Sequence, residues 1–224
     1  MTRAARIPLA AVMLTAACHQ PAFAESAVAT PAAVVKAHES SGPKAAIFAG
    51  GCFWGVEAVF SHVKGVSSVV SGYEGGAKAD ARYERVSRGD TGLAESVRVT
   101  YDPSVVRYDQ LLQIYFGVIA DPTELNRQGP DTGTQYRSAL VPLDKEQRRA
   151  AAGYIAQLKA LKLWDRPIVT AIEPYRGFYP AERYHQDFMQ KHPDHPYIVM
   201  WDKPKVRALK RLFPALYKAS FTGG

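Results

Sequence analysis

From Lys44 onward the apolar positions switch between two periods, and the order of the switches predicts the fold. Ala45-Ala46-Ile47-Phe48-Ala49 is a short apolar run that predicts a strand over 45–49. Phe53, Val56, Val59, Phe60 and Val63 then recur at helical spacing, predicting a helix over 52–63. Strands follow at 66–72 and 94–101, a helix at 108–119 and a strand at 136–141. The helix expected at 145–162 opens on Asp144 and Gln147, which have capping-box spacing. A strand at 167–173 and helices at 180–191 and 205–218 complete the chain. This order gives an α+β class, a two-layer sandwich with a mixed sheet. Its core is a ferredoxin-like β-α-β-β-α-β unit with C-terminal helical additions.

Within 94–101 the parity carries chemistry. Ser96, Arg98 and Thr100 share one face, whereas Glu95 falls on the other with Val97, Val99 and Tyr101. A carboxyl on an apolar face is disfavoured as an anion, so its pKa should rise, which suits a general acid at neutral pH. The competing reading places Glu95 at the rim of the strand, paired with an arginine. Between helix and strand, 121–135 is a loop dense in Pro, Gly, Asn and Asp, and long loops in compact domains are usually functional.

The termini change the picture next. Arg3 and Arg6, the apolar stretch 7–17 and Ala22-Phe23-Ala24 read as a signal peptide over 1–24, too short to span a bilayer. Export to a periplasm is the expected destination. A lipoprotein anchor through Cys18 is the weaker reading, because Thr15 stands where a leucine is required. Residues 25–43, rich in Ala, Ser and Pro, read as a flexible linker, 44–218 as a single catalytic domain and 219–224 as a disordered tail.

Loss of 1–24 removes Arg3, Arg6 and Cys18. The net charge falls from +7 to about +5, and Cys52 is left as the single cysteine. The Lys/Arg residues are scattered apart from 203–211, and no helix-turn-helix, zinc-finger or RNA-binding signature accompanies them, so nucleic acid is not an expected partner. No metal-ligand spacing is present, and no integral membrane span is expected.

An exported chain normally pairs its cysteines, so an unpaired Cys52 means intermolecular pairing or a reactive group, with a buried, inert thiol as the competing reading. It follows Gly50-Gly51 at a strand-to-helix turn, where the helix dipole and free N–H groups favour a thiolate. Phe53 and Trp54 beside it offer an apolar surface. Taken singly, Tyr83, Asp131 and Tyr136 decide nothing, since a tyrosine at a strand start is more often core than catalyst.

Five stretches taken together are specific: Gly50 to Gly55 (GGCFWG), Gly72 to Gly76 (GYEGG), Gly89 to Glu95 (GDTGLAE), Leu125 to Asp131 (LNRQGPD) and Gly133 to Ser138 (GTQYRS). In this order they resemble the signature blocks of the type A peptide methionine sulfoxide reductases, over about residues 44–200. The resemblance implies that Cys52 attacks the sulfur of a methionine S-sulfoxide, in a protein or free, while Glu95 protonates the departing oxygen. Phe53 and Trp54 would pack the substrate methyl group, and Tyr83, Asp131 and Tyr136 would bind the oxygen and support the acid. His185 would play a supporting role.

Many relatives carry C-terminal resolving cysteines, whereas residues 194–201 here contain none. That implies a one-cysteine enzyme without a prosthetic cofactor, recycled from a Cys52 sulfenic acid by an external thiol reductant such as a thioredoxin-like protein. Leu93 stands where many relatives have His, making the surroundings of Glu95 more apolar. Two other functions compete: acyl transfer by Cys52 with His185, and a secreted binding module.

Overall fold

The computed structural model describes residues 27–224, so the expected signal peptide and Cys18 lie outside the described residues. The main sheet is built from β1 (Lys44–Gly50), β2 (Val66–Glu74), β3 (Ala94–Tyr101), β6 (Ser138–Val141), β7 (Ala171–Ile172) and β8 (Phe178–Pro180). Their spatial order is β7-β6-β1-β3-β2-β8, antiparallel throughout except for the parallel β6–β7 pair. The inner four strands and the helices between them are the expected βαββαβ core, and the parallel edge makes the sheet mixed. A separate hairpin of β4 (Arg127–Gln128) and β5 (Asp131–Thr132) projects from the long loop.

One face of the sheet carries the core. Phe48, Val97, Val99 and Tyr101 pack there against α1 (Phe53–Ser61), α3 (Tyr108–Ile114) and α4 (Lys145–Leu161), and a single turn, α2 (Tyr83–Val86), lies between β2 and β3. Phe48 is the hub, with the rings of Phe60, Tyr108 and Tyr115 centred 4.8, 5.8 and 5.7 Å away. Burial of each such side chain contributes about 2–3 kcal/mol. The other face is thin: Ile47, Val141 and Phe178 cluster beneath Arg98, which sits 5.2 Å from the Phe178 ring centre. Helix α4 starts as its sequence predicts. Asp144 accepts from the Gln147 N–H at 2.7 Å, and Gln147 reaches back to the Leu143 N–H at 2.9 Å.

Residues 27–43 correct the linker expectation. They lie across α3 and α4, burying Ala33 and Ala37. Their backbone is held by side chains: Asp109 accepts from the Ala37 N–H at 2.9 Å, Gln157 from the Val34 N–H at 2.8 Å, and the Tyr154 hydroxyl donates to Pro31 at 2.7 Å. Side-chain partners impose no period, so the sequence looks structureless. The tail expectation fails similarly, because the Thr222 N–H donates to Ser61 O at 3.1 Å and the Gly224 N–H to Asp187 at 3.3 Å.

Element bounds differ elsewhere for local reasons. The helix expected over 180–191 is reduced to a short turn at Arg183–His185 and to α5 (Phe188–Lys191). Between them Gln186 exchanges two 2.9 Å hydrogen bonds with the backbone of Ser71 at the sheet edge, and Asp187 takes φ 55°. The strand expected over 167–173 keeps Ala171–Ile172, and the last helix, α6, spans Lys203–Leu212. Tyr136 closes a helical turn over Thr134–Tyr136 ahead of β6 instead of starting the strand. Helix α3 runs on into a wider turn over Tyr115–Ile119. Among the described residues no helix is long and apolar enough to cross a membrane.

Candidate active site

Cys52 sits where β1 hands over to α1, at the N-cap of the helix. Gly51 before it has φ +86°, and a Cβ there would lie 2.5 Å from Gln128 Cβ, so only glycine lets the loop hairpin close over the turn. The turn is pinned from the sheet as well. Glu95, on β3, accepts the Phe53 N–H at 3.0 Å and is 2 % exposed. Parity on the strand therefore places its carboxyl as expected, and the rim reading fails. Burial is the main cause that raises it to about 8, with Asp131 adding to the rise and the Phe53 N–H opposing it. Glu95 holds a proton at neutral pH. Leu93, two residues earlier and fully buried, belongs to the same apolar wall.

The thiol departs from expectation. Burial pushes the Cys52 thiol well up, and so do the carboxyls of Glu95, Asp202 and Asp131; the Trp54 N–H pulls the other way. The dipole of a nine-residue helix does not outweigh lost hydration with the Asp202 and Asp131 carboxyls close by, so the resting group is a thiol.

The aromatic residues converge on the same turn. Trp54 stacks on Phe188 with ring centres 3.7 Å apart, meets the Tyr197 ring edge-on at 5.8 Å, and donates its Nε1–H to His185 Nδ1 at 3.1 Å. That donor fixes His185 with Nδ1 unprotonated, and burial holds its pKa down, so it is neutral at pH 7. The ring also contacts Phe53 at 4.9 Å and Tyr83 at 4.6 Å. A histidine engaged in this way with Trp54 gives no Cys–His dyad. Glu182 secures this side, accepting from the Tyr73 hydroxyl and the Tyr83 N–H, each at 2.9 Å.

Asp131, from β5, accepts a short hydrogen bond from the Tyr197 hydroxyl, and burial raises its pKa. Tyr83 and Tyr136 are both raised by burial and by Glu95, Cys52 and Asp131, which puts their hydroxyls in one acidic pocket. All eight residues singled out in the sequence thus lie around one turn. Sequence reasoning missed Glu182, Phe188, Tyr197 and Asp202. Asp202 precedes Pro204 at the start of a helix and reads as an ordinary cap, yet its side chain caps nothing. Among the described residues no His, Cys, Asp and Glu group of three or more could hold a metal ion.

The family model described as peptide methionine sulfoxide reductase matches residues 44–215. The chain belongs to the peptide methionine sulfoxide reductases. It is 62 % identical over 176 residues to the peptide methionine sulfoxide reductase MsrA 2 of Mesorhizobium japonicum, covering 79 % of this chain and 90 % of the relative. The MsrA 2 of Synechocystis is 49 % identical over 178 residues, covering 80 % and 83 %. Among solved structures, reduced Mxr1 from Saccharomyces cerevisiae superposes with a TM-score of 0.62 at 34 % identity, covering 72 % of this chain and 92 % of Mxr1. The methionine sulfoxide reductase A of Corynebacterium diphtheriae gives 0.57 at 32 % identity, covering 69 % and 77 %. The α+β sandwich is the fold of these reductases, and the chain is an oxidoreductase of protein repair, reducing methionine sulfoxide with thiols.

Proposed function

We propose that Cys52 and Glu95 carry this reduction, on the S epimer of the sulfoxide. The observation behind the assignment is that a neutral carboxyl is hydrogen-bonded to the N–H of Phe53, the residue after the thiol. Nucleophile and acid therefore face one reacting centre. Phe53 and Trp54 hold the methyl group, and the hydroxyls of Tyr83 and Tyr136 hold the oxygen. Glu95 donates its proton to that oxygen, making sulfur electrophilic, and Cys52 sulfur attacks it. Oxygen passes from the methionine sulfur to Cys52, giving thioether and sulfenic acid, with one two-electron reduction matched by one two-electron oxidation. The sulfenic oxygen keeps the proton that Glu95 gave it, and the thiol proton lost as Cys52 sulfur attacks passes to the Glu95 carboxylate, so Glu95 ends protonated. Asp131, tied to Tyr197, steadies the pocket, and neutral His185 orients Trp54.

Recycling falls to an external thiol, a thioredoxin-like protein or a small thiol. It attacks the sulfenic sulfur, releases water and leaves a mixed disulfide that a second thiol resolves. The N-terminal pattern of residues 1–24 supports export to a periplasm as the setting. The test is a single turnover without reductant, with separated S and R epimers. About one methionine per chain from the S epimer alone, matched by loss of the Cys52 thiol, is expected. No methionine with the thiol intact would overturn the assignment.

A further inference from the structure

Asp202 takes no part in the reaction above, yet it stands beside it. The side chain is 0 % exposed, and neither carboxyl oxygen has a hydrogen-bond partner. It arrives on a single wide turn, Ile198–Asp202, a kind of turn that is frequent at functional sites. The turn is braced on the pocket. Tyr197 bonds Asp131 and meets Trp54, and the Trp201 ring lies 3.6 Å from where a Cβ on Gly129 would sit. Asp202 points at the first turn of α1, since a Cβ on Gly55 would fall 2.2 Å from its Oδ1 and 3.0 Å from its Cγ. The last glycine of the GGCFWG stretch thus exists to admit this carboxyl three residues from the cysteine.

We propose that Asp202 guards Cys52, its carboxylate holding the cysteine as an unreactive thiol until a sulfoxide occupies the site. The proposal rests on Cys52 being the nucleophile. Asp202 is fully buried and Cys52 partly so, and two like charges in such a poorly hydrated pocket are mutually unfavourable. Cys52 therefore ionises with difficulty while Asp202 is charged. A sulfoxide relieves the conflict, because protonation of its oxygen by Glu95 places positive charge on sulfur next to Cys52. A peroxide brings no such charge. Discrimination matters for a one-cysteine cycle: the thiolate is the form that attacks peroxide, and a second oxidation, to sulfinic acid, is not reversed by thiols.

The groups facing Asp202 are Cys52 from the α1 turn, Asp131 from β5, Tyr197 from its own segment and Lys205 from α6. Lys205 Nζ lies 3.2 Å from the same Gly55 Cβ position. Burial and Asp131 raise the Asp202 carboxyl to about 7 against the pull of Lys205. It is charged, and the guard is set, above neutral pH, whereas below pH 6 it is protonated and the guard is off.

The experiment compares the full chain with Asp202→Asn and Asp202→Ser, following Cys52 alkylation by iodoacetamide from pH 6 to 10 by peptide mass spectrometry. Both variants should alkylate about tenfold faster at pH 8–9 and match the wild type below pH 6. They should also accumulate more Cys52 sulfinic acid under hydrogen peroxide. A site merely opened by the substitution would react faster at every pH, and that result, or superimposable curves, overturns the proposal. A parallel single turnover with the S-sulfoxide separates the two readings: a wild type that forms no methionine refutes Cys52 as the reductase nucleophile, while alkylation still decides the guard.

Discussion

Glu95→Gln separates the acid from the carboxyl's packing. Glutamine keeps the shape of the side chain and a carbonyl oxygen for the Phe53 N–H, now at 3.0 Å from the carboxyl oxygen, but cannot ionise. In the wild type, burial first and Asp131 second lift the group from 4.5 to about 8. The native state therefore keeps a proton that the unfolded chain gives up near pH 4.5. Its contribution to stability is intact below pH 4.5 and is lost progressively as pH rises to about 8, because over that window the native state binds more protons than the unfolded one. At about 1.4 kcal/mol per pH decade, the full window is worth about 5 kcal/mol, and about 2–5 kcal/mol is the expected range.

The variant escapes this loss. In urea melts at pH 5 and pH 8, Glu95→Gln should gain about 2–5 kcal/mol on the wild type between the two. Its single-turnover rate at pH 6 should fall by about 10²–10⁴-fold, the span of a missing general acid. The wild-type rate should decline as pH passes about 8, where Glu95 loses its proton, and the variant should not share that decline. Parallel stability at both pH values, together with an unchanged rate profile, would refute the reasoning.

Two further outcomes test the scaffold. Gly55→Ala should cost about 1–3 kcal/mol by overpacking against the Asp202 carboxyl, and Asp202→Ala in the same chain should recover part of that loss; additive losses in a double-mutant cycle would mean the contact is not the cause. A chain beginning at Lys44 should unfold about 2–4 kcal/mol more easily, because Asp109, Gln157 and Tyr154 lose their partners in the preceding segment. Equal urea midpoints for the two chains would restore the linker reading.

Legibility in the sequence follows how local each cause is. Strand β3 announced Glu95 because the period of a strand is two, and one side chain out of place on an apolar face is visible without neighbours. Helix α4 announced its start through Asp144 and Gln147, a device closed within four residues. By contrast, 27–43 takes its hydrogen bonds from α3 and α4, more than seventy residues away, and no local pattern encodes such partners. Helix α1 shows both cases. Its apolar stripe was legible, but Glu57 on the same helix is fully buried, with burial raising it to about 8. Only the segments packed on its far side explain that.

The ionisation of Cys52 is the sharpest instance of this limit. A cysteine at a helix N-cap promises a thiolate by a local argument worth about 0.3–1 kcal/mol. Against it stand lost hydration first and then the carboxyls of Asp202 and Asp131, from the turn before α6 and from β5, neither of them near in sequence. Those contributions outweigh the dipole, so the site rests as thiol and neutral acid. Reactivity then has to be brought by the substrate. A sulfoxide supplies it, since its oxygen is the base that takes the Glu95 proton and its sulfur is the positive centre that draws on Cys52. The arrangement that keeps the unpaired cysteine quiet is in this way the same one that makes it answer to a sulfoxide.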